Sequence, residues 1–114
     1  MQHRVDVTDT AIALGSGDVP VLATPRLIAW LEAATVRAAE PFVGAGQTSV
    51  GTSVRVEHRR ATQVGGSVEV SAAAPTVDGR RLTFAVRATD ETAQVVADGE
   101  IDRVVVDRAR FLGG

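Results

Sequence analysis

The chain contains no cysteine, no lysine and no tyrosine. Without cysteine there is no disulfide, no thiolate metal site and no cysteine nucleophile. With only two histidines as well, a zinc site is not expected. Aromatic residues make up 4% of the chain, too few for the stacking motifs of a nucleic-acid binder. A formal net charge of -2 and a pI near 5.6 give no global attraction to a phosphate backbone. No apolar run approaches the roughly 20 residues of a membrane span. The opening MQHRVDVTDT has no apolar stretch of signal-peptide length, so the expectation is a cytoplasmic protein. A phosphate-binding glycine loop and a dinucleotide fingerprint are absent too.

What is present fits one globular domain over residues 1–114, with 45% hydrophobic and 23% charged residues. A domain this short buries a modest core, which a partner subunit covering more apolar surface would enlarge. All 12 basic residues are arginine.

Residues 4–7 alternate and predict a short first strand. Gly15-Ser16-Gly17-Asp18 signals a loop, and residues 19–23 an extended apolar lead-in. Thr24 then fits a helix N-cap and Pro25 the first helical position, where its missing N–H has no helical partner. The helix is predicted from Pro25 to Glu40, with Pro41 ending it. Leu27, Ile28, Leu31, Ala34, Thr35 and Ala38 form one face, with Trp30, Arg26 and Arg37 at its sides.

From residue 47 the period changes to two. Val50, Thr52, Val54, Val56 and His58 are predicted to share the face of a strand that points at the helix. A second strand carries Val68, Val70, Ala72 and Ala74, and a third Leu82, Phe84, Val86 and Ala88. Asp78-Gly79 marks a hairpin and Asp90-Glu91 another turn. A last strand runs from about Gln94 to Val106, with Gly99 as a candidate bulge. One apolar helix and a sheet with one buried face must cover each other. The expected fold is therefore α+β, an antiparallel β-sheet wrapped around one long central α-helix, with an exposed edge suited to dimerisation.

Few residues are placed to do chemistry. His3 falls in the chain's start, expected to be disordered and without function. His58 extends the apolar face of its strand, as either a hydrogen-bonded core histidine or a reactive imidazole would. Glu32 borders the apolar face of the helix among small neighbours. It is either a solvated flank residue, paired with the arginine at i+5 (Arg37) or with another strand, or a carboxylate with a functional partner, for which His58 is available. Thr24 is explained by capping alone. It precedes Glu32 by eight residues, about 12 Å of helix rise, so the two cannot touch directly. An imidazole from the sheet between them could take a proton from a hydroxyl or water while a carboxylate fixes its other nitrogen. Gly51, early in the first long strand, either packs simply or opens the backbone to a ligand, with a free N–H for an oxyanion. Arg59-Arg60 and Arg80-Arg81 could bind coenzyme A phosphates, but ordinary solvation of strand and turn accounts for them as well.

Three segments in order, VLATPRLIAWLE (21–32), TSVGTSVRVEH (48–58) and VDGRRLTF (77–84), followed by RVVVD (103–107), resemble hot-dog-fold acyl-CoA thioesterases of the fluoroacetyl-CoA thioesterase family. The resemblance runs from about residue 19 to 112 with nearly constant spacing. It implies a hot-dog fold, a homodimer with active sites near the subunit interface, and metal-free hydrolysis of an acyl-CoA thioester. It implies no cofactor beyond the coenzyme A of the substrate; charge, composition and hydropathy give the expectation of neither nucleic acid nor membrane as partner. The family's catalytic threonine, glutamate and histidine fall on Thr24, Glu32 and His58. Its glycine beside the reacting carbonyl falls on Gly51. Three features depart from the pattern. The segment before the helix, Gly15 to Pro20, has no aromatic. His58 is followed by Arg59-Arg60 rather than by small residues. The last strand reads Gly99-Glu100-Ile101-Asp102-Arg103, without the family's histidine. Two other activities are compatible with the fold: an enoyl-CoA hydratase or dehydratase using Glu32 and His58, and a non-catalytic acyl-CoA or lipid-binding module.

Overall fold

The computed structural model describes residues 1–113. It comprises strands β1 (Gln2–Arg4), β2 (Gln47–His58), β3 (Ser67–Ala72), β4 (Thr76–Asp78), β5 (Arg81–Asp90) and β6 (Val95–Asp107). The helices are α1 (Ala11–Leu14), α2 (Thr24–Ala39) and α3 (Arg108–Phe111). All strand pairs are antiparallel, in the order β1-β3-β5-β6-β2, with β4 also paired to β5. No described helix is long and apolar enough to cross a membrane.

The sheet curls around α2, which packs chiefly over β3 and β5. Leu27, Leu31, Ala34, Thr35 and Ala39 are the buried face of the helix. This is the predicted stripe turned slightly, since Ile28 and Ala38 are only half-buried. Opposite it lie Val68, Val70, Leu82, Phe84, Val86, Ala88 and Ile101, all buried. Strict alternation in β3 and β5 produces this face, as expected of a sheet with one side covered. The Asp78-Gly79 turn forms as predicted, with Asp78 paired to Arg81 and Gly79 at φ +60°. Asp90 closes the next turn by accepting from the N–H groups of Thr92 and Gln94 and from the Thr92 hydroxyl.

Several expectations are corrected. The first strand lies at Gln2–Arg4, not 4–7, and residues 7–14 form a 3-10 turn followed by α1, capped by Asp6 and Thr10. His3 is ordered: it pairs with Val68 and stacks on Trp30 at 4.4 Å between ring centres. β3 stops at Ala72, so Ala74 lies outside it. Gly99 is not a bulge but a point of close approach, where a Cβ would lie 2.0 Å from the Arg55 carbonyl oxygen.

The bulge is in β2. Gly51 pairs with Arg103 and Ser53 with Asp102, leaving Thr52 unpaired as the extra residue. Side chains before it and after it therefore change phase. Ser49 and Gly51 share the inner face with Val105 and Arg103; beyond the bulge Val54, Val56 and His58 share it with Ile101, Gly99 and Ala97. Val50 and Thr52, predicted to face the helix with His58, lie on the other side. His58 is seven positions after Gly51, an odd offset. Only the bulge lets both face α2.

Candidate active site

Thr24 and His58 meet where the start of α2 passes the end of β2. Thr24 Oγ1 lies 2.8 Å from His58 Nδ1. The expected role of Thr24 as N-cap is corrected: Ala23 occupies the cap, Thr24 is the first helical residue, and Pro25 follows. Its hydroxyl caps nothing and is free for the imidazole. The chain reaches this point in a fixed direction. Leu22 and Ala23 are buried, and their N–H groups donate to the Thr62 and Asp9 carbonyls.

Burial pushes the His58 pKa below its ordinary 6.5, and the nearby Arg60 backbone only partly opposes this. The neutral ring is thus favoured at neutral pH. His58 Nε2 is buried and forms no hydrogen bond among the described residues. A ring whose Nδ1 accepts from Thr24 carries its proton on Nε2. The pair opens onto a cleft of about 290 Å³ whose walls include Ala11, Gly17, Val19, Val21 and Leu22. Arg59 and Arg60 also line it, but carboxylates attend both. Arg59 pairs with Asp98 at 2.9 Å and Glu57 at 3.2 Å, and Arg60 lies 3.9 Å from Asp90.

Glu32 lies elsewhere. It sits mid-helix beside Gly51, so close that a Cβ on Gly51 would be 2.6 Å from Oε2. Among the described residues it makes no contact with His58; its ion-pair partner is Arg103, at 3.7 Å. The sequence offered His58 as that partner, or Arg37 or another strand; the structure supplies an arginine of another strand. Within one chain the structure joins Thr24 to His58, and Glu32 to Gly51, as two separate pairs. Arg103 was missed. It is buried, and Nε donates to Ser49 Oγ at 2.9 Å and Nη2 to the Ser49 carbonyl at 3.0 Å. Its only sequence signal was its place within an otherwise apolar alternation, Ile101, Arg103, Val105. Among the described residues no group of three or more His, Asp or Glu could hold a metal ion.

An antiparallel sheet wrapped around a single long helix, with a hydroxyl–imidazole pair at the start of that helix, defines a hot-dog fold of the thioesterase type. The chain belongs to the FlK family of fluoroacetyl-CoA-specific thioesterases, whose pattern matches residues 5–109. It is 36% identical over 91 residues to a fluoroacetyl-CoA thioesterase from Streptantibioticus cattleyicolor, a match covering 80% of this chain. The chain spans 65% of that relative's length. A fluoroacetyl-CoA-specific thioesterase variant solved with fluoroacetate and CoA superposes with a TM-score of 0.88 at 30% identity, covering 98% of this chain and 91% of that one. A thioesterase superfamily member from Thermus thermophilus shares the fold, with a TM-score of 0.90 at 23% identity over 98% of this chain and 82% of that one.

Proposed function

We propose that the protein is a cytoplasmic enzyme that hydrolyses an acyl-CoA thioester to the free acid and coenzyme A. The observation that carries this reading is the 2.8 Å contact between Thr24 Oγ1 and His58 Nδ1 on an open cleft, in a chain of this family. A neutral imidazole with a free Nδ1 lone pair can take the Thr24 proton as the hydroxyl attacks the thioester carbonyl. The C–S bond then breaks and the leaving thiolate takes that proton from His58. Water repeats the sequence on the acyl-enzyme: His58 removes its proton and returns it to Thr24 as the acid departs. Orientation of water by Thr24, without an acyl-enzyme, uses the same proton path. The Gly51 N–H is proposed to hold the oxyanion and Glu32 to act on the intermediate.

One chain does not bring these groups together. Gly51 and His58 are roughly 20 Å apart along the strand. We therefore propose a homodimer in which each site takes Thr24 and His58 from one copy and Glu32 and Gly51 from the other. The support is the free edge of β2, a 12-residue strand paired only with β6. Long bare edges invite pairing. Antiparallel pairing of two β2 edges about a twofold at Arg55, with Thr52 again left out as the extra residue, would set His58 of one copy opposite Gly51 of the other. The exposed apolar side chains of Val36, Phe42 and Val54 suit a covered surface.

Free-thiol release from a panel of acyl-CoAs, acetyl-CoA and fluoroacetyl-CoA included, tests the activity. Turnover that depends on His58 is expected; a folded protein with no turnover on any member would discard the reading. Mixing inactive His58→Ala and Glu32→Ala chains tests the shared site. Random pairing makes half of the dimers hybrid, each with one intact site, so about a quarter of wild-type activity should return. No recovery in verified hybrids would mean that each site belongs to one chain.

A further inference from the structure

The cleft beside Thr24 and His58 is walled by the segment that leads into α2. That wall is held in place by the fold itself. The Ala11 N–H donates to the Val21 carbonyl at 2.9 Å, Thr10 bridges to Leu22, and the Leu22 N–H donates to the Thr62 carbonyl at 2.8 Å. The Ser16 N–H donates to the Ala11 carbonyl at 3.0 Å, which folds the chain back over α1. Gly17 then passes so close that a Cβ there would lie 3.3 Å from the Ala11 Cβ. These bonds fix the wall and spend its backbone groups on one another, as in a pocket formed before its ligand arrives.

The side chains of the wall are small and apolar: Ala11, Val19, Val21 and Leu22, joined by Ala61 from the chain beyond β2. Val19 is 49% exposed, an apolar side chain that its own chain leaves uncovered. Besides Thr24 and His58, the polar side chains of the lining are Ser16, Arg59 and Arg60, and both arginines face carboxylates. Two parts of an acyl-CoA compete for such a surface. The pantetheine arm carries amides and ends in phosphates, which this wall would leave without partners. An alkyl chain needs no partner and gains by leaving water. Size favours the alkyl chain too. At about 30 Å³ for each non-hydrogen atom, a cleft of about 290 Å³ holds about ten of them. An acetyl group would fill about a third of that space and leave the apolar wall wet, whereas an acyl chain of about six to eight carbons would cover it.

We infer that the preferred substrate carries an apolar acyl chain of about six to eight carbons, which lies along Ala11, Val19, Val21 and Leu22 with its carbonyl at the Thr24–His58 pair. The inference rests on the reading that this pair hydrolyses an acyl-CoA. Val19 serves the chain and not the reacting carbonyl, so it sets specificity without taking part in the chemistry.

The test is kcat/KM by thiol release from acetyl-, butyryl-, hexanoyl- and octanoyl-CoA, on the full chain. Complete burial of one methylene is worth about fourfold. In an open cleft about twofold for each is expected, so hexanoyl-CoA should exceed acetyl-CoA by at least about tenfold. Val19→Asn, at an exposed position, should lower the hexanoyl value about fivefold and leave the acetyl value within about twofold, with melting as the check on folding. S-Alkyl-CoA thioethers, which cannot be hydrolysed, should inhibit the wild type more strongly as the alkyl group lengthens from two to about six carbons, a readout that needs no variant. Acetyl-CoA as the best of the series, or values flat with length, overturns the inference while hydrolysis stands. A hexanoyl preference that folded Val19→Asn leaves whole overturns it as well, because the chain then lies elsewhere. No turnover on any acyl-CoA by the folded protein overturns the reading of hydrolysis, and the inference with it.

Discussion

The two halves of β2 face the same helix through opposite chemistry. Beyond the bulge, His58 meets the exposed first turn of α2 at an open cleft, with one hydrogen bond and no ion pair. Before it, Gly51 meets the middle of α2 over a buried guanidinium and a carboxylate held by charge. The first arrangement suits moving a proton, because burial keeps the ring neutral and its Nδ1 faces a hydroxyl. The second suits holding negative charge in place, because its cation cannot move. One strand serves both only because Thr52 shifts the phase between them.

The largest effect should come from the proton-moving half. His58→Ala should lower kcat about a thousandfold, within the usual range for a general acid–base residue. His58 is only half-buried at a strand end, so melting should move little. A loss of activity matched by a loss of folding would instead make His58 a core histidine and erase the contrast between the halves.

Thr24 comes next. Thr24→Ala should cost about a hundredfold in kcat, and Thr24→Ser should retain most of the activity because the hydroxyl remains. Stability separates the two readings of this residue. An N-cap threonine lost to alanine costs about 1 kcal/mol. Because Ala23 occupies the cap and Thr24 is exposed, the change here should stay within about 0.5 kcal/mol by denaturant titration. A full capping penalty would contradict the geometry at the start of α2.

Gly51→Ala probes the charge-holding half. The added methyl would meet Glu32 Oε2 at 2.6 Å and Arg103 Nη1 at 3.5 Å. Oε2 is the end of a flexible side chain, so the carboxylate should swing aside and the fold should survive. The expected outcome is a loss of about tenfold in kcat with less than about 1 kcal/mol of stability. Unchanged kcat would show that the position of Glu32 does not matter.

These two halves were unequally legible in the sequence. β3 and β5 were plain, because Val68 to Ala72 and Leu82 to Ala88 alternate against one covered face. The helix was plain as well, bounded by Pro25 and Pro41. Thr24 and His58 could be singled out, but not their contact, since capping explained the threonine completely. The phase change at Thr52 was hidden, because a bulge is a property of pairing with β6 and alternation in β2 alone reads straight through it. Arg103 was hidden for a related reason. Only its place between Ile101 and Val105 sets it apart locally from the eleven other arginines; its partners Ser49, Thr35 and Glu32 are each far away along the chain. His3 looked like a frayed end because its partners, Val68 and Trp30, are also distant.

The smallest expected effect is a pH dependence that should appear in one half only. Burial lowers the native His58 pKa below 6.5, the ordinary value that the unfolded chain retains. Catalysis needs the neutral ring, so kcat/KM should fall toward acid with an apparent pKa below 6.5 and stay flat above it. Stability shares the sign. Between the lowered native value and 6.5 the unfolded chain binds more protons than the native one, so stability declines as pH falls through that window. Above it both states are neutral and the contribution is whole; below the native value it levels off. His3 is also lowered by burial, so the His58 share is the difference between wild type and His58→Gln in melts from pH 8 to 5. Wild type should lose more stability than His58→Gln across this range, by well under the cost of a core cavity. Parallel curves would mean that the ring is not desolvated, and an acid limb above 6.5 would reverse the sign of the shift. Either result would move the proton-transfer role away from the Thr24–His58 pair.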